Sequence, residues 1–91
     1  MTVLIEAASA DETSDAVDAS GPILVAVVGT FKQGLVSIKA DIGSGEATAA
    51  TFYPGDQVRI CRLEFAAGVT FKAYLEGVSD DSEVTVEYIN V

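Results

Sequence analysis

From Val69 to Glu76 the chain alternates apolar and polar residues, with Val69, Phe71, Ala73 and Leu75 set against Thr70, Lys72, Tyr74 and Glu76. A period of two sends successive side chains to opposite sides of an extended backbone, so one side is buried and the other is wet. The pattern returns where Val84, Val86 and Tyr88 alternate with Glu83, Thr85 and Glu87. Short runs of this kind recur through all 91 residues. Gly, Pro, Asp and Ser separate them at roughly the 8 to 12 residue spacing of β-sandwiches. Counting the runs predicts about eight strands in an all-β fold, an antiparallel two-sheet β-sandwich of jelly-roll, Greek-key or Ig-like type.

Local signals predict how the strands connect. Gly77 to Ser82 reads as the turn of a hairpin joining the two alternating runs. A second hairpin is predicted from Ile23, through Gly29-Thr30-Phe31-Lys32-Gln33-Gly34, into Leu35 to Ile42, with Gly34 free to take the positive φ such a loop needs. Tyr53-Pro54-Gly55-Asp56 has the Pro and Gly placement of a type II turn, between runs at Ala49 to Phe52 and Gln57 to Phe65. Ile23 to Val28 is apolar on both sides, so it is either a central strand or a strand covered by a second subunit. Residues 1–19 read as an N-terminal edge strand over Val3 to Ala7, a loop, and a weak strand over Ser14 to Ala19, with Ala7 to Ser20 a loose acidic arm. Residues 20–91 form the sandwich core of what is one domain overall.

Charge and composition remove whole classes of function. Fourteen Asp and Glu against five Lys and Arg leave a net charge of −9, and the five cations are scattered, so binding to phosphate backbones or anionic membranes is not expected. No apolar run approaches the ~18 residues that span a bilayer. The start, Met1-Thr2-Val3-Leu4-Ile5-Glu6, does not read as a secretory signal. There is no histidine, and the single cysteine, Cys61, lies in a strand-like run where a thiol behaves as a small apolar residue. That suits a reducing compartment.

Candidate chemistry is sparse. Ser37, Lys39 and Asp41 share one side of a strand, but so do the residues of any solvated strand face. Glu64 and Glu76 form a conceivable carboxylate pair for glycoside cleavage, yet the aromatic platforms that hold a sugar are scarce. The acidic turns Asp41 to Glu46 and Asp80 to Glu83 offer oxygens to calcium but lack the Asp-x-Asp-x-Asp-Gly loop pattern, and both read as solvated turns. No catalytic residue, metal ligand or cofactor is therefore expected. Phe31, in a connection between polar neighbours, either caps the end of the sandwich or anchors another chain.

The run Ser20-Gly21-Pro22 through Ile38, with the skeleton G-x-F-x-x-G-x-V-x-I, resembles the opening hairpin of small β-sandwich proteins of tailed bacteriophage virions. Phe71 to Gly77 followed by Val84 to Glu87 is similar to their closing hairpin, and the likeness covers roughly residues 20 to 91. Many of those proteins carry a Trp or a second aromatic cluster in the central strands; this chain has no Trp. Within the group, head decoration or cement proteins fit a chain of this size best. The resemblance implies a non-enzymatic protein on the virion surface, made in the host cytoplasm. It would bind the major capsid protein, as a homo-oligomer with a trimer favoured. Val3, Leu4 and Ile5, adding as a strand to a partner's sheet edge, together with Phe31 and Lys32, are the expected partner-binding residues. The rival readings are a tail or fibre module that recognises a glycan or surface protein, and an acidic mimic of DNA.

Overall fold

The alternating runs become two antiparallel sheets. The computed structural model describes residues 1–55 and 59–91, with strands β1 (Thr2–Ala8), β2 (Glu12–Thr13), β3 (Val17–Asp18), β4 (Ile23–Thr30), β5 (Leu35–Asp41), β6 (Glu46–Phe52), β7 (Arg59–Leu63), β8 (Thr70–Glu76) and β9 (Glu83–Asn90). Sheet A has the order β1-β9-β4-β7. Sheet B has the order β2-β8-β5-β6, and β3 also pairs with β8, further along it than β2. Among the described residues there is no helix.

Taken from the chain ends inward, the partners are β1 with β9, β2 and β3 with β8, β4 with β7, and β5 with β6. That is one long hairpin whose tip is the turn between β5 and β6. Wrapping this ribbon on itself brings β4 beside β9 and β5 beside β8, which generates the two sheets of a jelly roll. The fold class read from the sequence is therefore correct, and the strand order selects the jelly-roll member of it.

Inward-facing positions fill the space between the sheets. Ile23, Val25 and Val27 of β4 and Val84 and Val86 of β9 lie over Val36 and Ile38 of β5 and Phe71, Ala73 and Leu75 of β8, each at most 1% exposed. Full burial of such a side chain stabilises by about 1.5–3 kcal/mol. At one end Phe71 stacks edge-on against Tyr88 and tilts against Phe65, with ring centres 5.3 Å apart in both pairs.

Neither predicted hairpin exists. β4 and β5 lie in different sheets, as do β8 and β9, so both connections are arches that cross from one layer to the other. Alternation is satisfied either way, because an arch and a hairpin bury the same residues. Residues 31–34 reach about 13 Å when extended, enough to bridge sheets about 10 Å apart. Phe31 travels with the crossing and plugs the end of the core at 2% exposure. Its backbone exchanges hydrogen bonds with Gly55, at 3.3 and 3.0 Å.

The N-terminal residues are also more integrated than a loose arm. β1 is the edge strand of sheet A, and its Ile5 and Ala8 belong to the core. Residues 12–18 are the edge of sheet B. The turn predicted over Tyr53 to Asp56 and the strand start at Gln57 run into residues 56–58, outside the described residues.

Candidate functional site

The two outer faces of the sandwich differ in chemistry. On sheet B the outward positions carry Ser37, Lys39 and Asp41 from β5, Lys72, Tyr74 and Glu76 from β8, and Thr48 and Glu46 from β6. These groups pair with one another. The Tyr74 hydroxyl donates to the Glu46 carboxylate, with oxygen separations of 2.8 and 2.7 Å, and the Lys39 ammonium lies 4.6 Å from the Tyr74 ring centre. The bond to Glu46 holds the Tyr74 hydroxyl above its ordinary pKa, helped by partial desolvation and the negative charges of Glu46 and Glu76. Asp41 closes the hairpin tip by accepting the Gly43 N–H at 2.6 Å. Lys39 and Asp41 thus behave as a solvated strand face, whereas Ser37 on the same side is buried at 5% exposure.

On sheet A the outward positions of β4 are apolar, and those of its neighbours β7 and β9 mix Ile60 and Ile89 with Arg62, Thr85 and Glu87. Leu24, Ala26 and Val28 of β4 are half-buried, and no strand of the described residues packs over them. The register places Leu24 between Ile89 and Arg62, and Ala26 between Glu87 and Ile60, with Val3 of β1 beyond Glu87. Ile60 is 66% exposed, Ile89 41% and Val3 47%. Met1, Leu24, Ala26, Ile60, Glu87, Tyr88 and Ile89 line a groove of about 130 Å³. The charges inside the patch are Glu87 and Arg62, with Glu83 and Glu64 at its ends, and Arg62 is bonded to Glu64. A contiguous apolar face on a chain of net charge −9 is the feature that marks a contact surface.

Family models, curated proteins and solved structures all gave no match to this chain.

The face reconciles the two explanations of the doubly apolar Ile23 to Val28. β4 is a central strand, and its outer side still presents aliphatic groups to solvent. The expected partner-binding residues separate. Val3 lies on this face and Leu4 is half-buried against the core. Ile5 and Phe31 are core residues at 1% and 2% exposure, so neither is a surface anchor. Phe31 takes the capping alternative, with the Arg59 guanidinium 5.7 Å from its ring centre. Lys32 is at the opposite extreme, with a side chain 84% exposed and 3.6 Å from Asp81. Ile60 and Ile89 were not singled out in the sequence, although each is an apolar residue out of phase with its strand's buried set.

The remaining chemical candidates do not converge. Glu64 follows β7 of sheet A, whereas Glu76 ends β8 of sheet B. In the second acidic turn Asp81 accepts the Ser79 hydroxyl and lies beside Lys32, and these two interactions hold its carboxyl below the ordinary value. Among the described residues no cluster of three or more His, Cys, Asp or Glu side chains is placed to hold a metal ion. Cys61 is half-buried against the core with its thiol 3.7 Å from the Arg62 carbonyl.

Proposed function

We propose that this chain is a non-enzymatic structural protein of a tailed-phage virion, a decoration protein that binds the outside of the assembled capsid and stabilises it. The observation that carries the reading is the apolar outer face of sheet A on an otherwise wet, acidic sandwich, which equips the molecule for association. A ligand that binds only the assembled lattice stabilises it by mass action at every occupied site, so individually weak contacts suffice on a shell. In this reading the major capsid protein is the partner and the protein works as a homo-oligomer. The chain joins the particle after synthesis in the host cytoplasm and touches neither nucleic acid nor membrane. The free edge of β1, on the side away from β9, supplies main-chain donors and acceptors for a capsid strand, with Val3 beside it.

Purified virions from the phage that encodes this chain provide the test. The expected result is many copies on the head exterior by electron cryomicroscopy, and a stoichiometric rebinding of purified protein to stripped heads that raises their resistance to heat. Particles without the chain overturn the reading. Copies confined to the tail, with signal on a glycan array, replace it with the adhesion alternative.

A further inference from the structure

We propose that the outer face of sheet A packs against the same face of a second copy, closing a two-fold dimer. The capsid reading is not needed for this. A single patch that contacts itself closes as a pair, whereas the three-fold cluster implied by the resemblance needs two different patches on each subunit.

The relief of the face is self-complementary. Ile60 stands 66% exposed beside a groove of about 130 Å³, room for one aliphatic side chain, whose lining is apolar apart from Glu87. A two-fold lets the Ile60 knob of each copy enter the groove of the other. The charges are complementary in the same sense. Glu87 on β9 and Arg62 on β7 sit diagonally across β4, with Leu24 and Ala26 between them. A two-fold axis lying in the interface through that centre sets Glu87 of one copy against Arg62 of the other, twice, where Arg62 already holds Glu64 of its own copy. The rest of the surface is dominated by the excess of carboxylates, which repels a second copy and leaves this face as the one suited to it.

The area sets the strength. Four strands about 4.8 Å apart and some seven residues long present roughly 450 Å² a side, close to 900 Å² in all before side-chain relief is added. That lies just below the roughly 1,000 Å² of a stable interface and corresponds to a weak, reversible dimer.

Sedimentation equilibrium on the full chain, from about 1 to 500 μM, tests it. The expected result is a monomer of 9.4 kDa passing to a dimer of twice that mass as concentration rises. Ile60→Glu should raise the dissociation constant at least about 100-fold with an unchanged circular dichroism spectrum. Thr48→Glu, which adds the same charge to the outer face of sheet B, should leave the dimer intact. Arg62→Glu and Glu87→Arg should each weaken association, and the two together should restore it. A chain monomeric throughout, a trimer, an equal response to Ile60→Glu and Thr48→Glu, or no rescue by the double reversal would overturn the proposal. A monomer that loses capsid binding on Ile60→Glu would overturn it too, and give the face to the capsid protein.

Discussion

Of the three serines buried among the described residues, Ser14 and Ser82 carry opposite consequences. Ser14 sits between β2 and β3, where its N–H donates to the Ala73 carbonyl at 2.9 Å and its hydroxyl oxygen accepts the Ala73 N–H at 2.8 Å. The side chain thus replaces a main-chain acceptor and carries the broken edge strand along β8. Ser14→Ala leaves the buried Ala73 N–H without a partner, a loss of about 2 kcal/mol that should lower Tm by about 10 °C in a scanning calorimeter. Ser82 is equally buried, but its hydroxyl has no hydrogen-bond partner among the described residues, so Ser82→Ala should change Tm by no more than about 2 °C in either direction. Tyr74 supplies a pH test on the surface of sheet B. Its pKa is raised in the folded chain, so the contribution of its neutral hydroxyl is complete below the ordinary tyrosine value and fades as pH climbs through the folded value. Glu46→Gln should move the Tyr74 titration back toward the ordinary value in an NMR pH series and reduce the alkaline loss of stability. The Asp, Ala and Ser content of Ala7 to Ser20 did reveal a segment unsuited to a long regular strand. It did not show that one hydroxyl would complete the ladder.

The two arches decide the architecture at the scale of elements, and they touch at a pair of glycines. Gly34 ends the crossing from β4 to β5 with φ +88°, as its place in the sequence predicts, and a Cβ there would lie 2.3 Å from the Glu76 carbonyl oxygen and 2.7 Å from the Gly77 carbonyl carbon. Gly77 opens the crossing from β8 to β9 with φ +71°, and its Cβ would meet only the Gly34 Cα, at 3.4 Å. Gly77→Ala therefore pays mainly for its left-handed backbone, about 1 kcal/mol, whereas Gly34→Ala adds a collision between main chains and should cost about 3 kcal/mol or more. Urea melts of both variants check the order, and equal costs would contradict the arch geometry. The same elements show where pattern reading stopped. Alternation located β8 and β9 with their buried faces, and Ile23 to Val28 was marked as apolar on both sides, but neither pattern carries information about which strand lies alongside. The available hint was an apolar residue inside each connection, Phe31 and Val78, since a crossing between layers needs something to fill the open end of the core.

For the whole molecule, charge opposes compactness while the shared interior supports it. With fourteen acidic and five basic side chains, the folded state carries self-repulsion that the extended chain relieves. Raising sodium chloride from about 10 to 150 mM shortens the screening length from about 30 to 8 Å and should raise Tm by a few degrees, read by circular dichroism at fixed protein concentration. An unchanged or falling Tm would mean that local pairs such as Lys32 with Asp81 outweigh the global repulsion. The sequence by itself determined the extended backbone, the inward sets of the alternating strands β8 and β9, the two-layer class and the acidic surface, because each follows from side-chain period and ionisation along the chain. The winding into a jelly roll and the gathering of Leu24, Ala26, Ile60 and Ile89 onto one open face were decided only by tertiary structure. Those neighbours come from strands far apart in the chain, and only the competition among long-range strand pairings settles which of them meet.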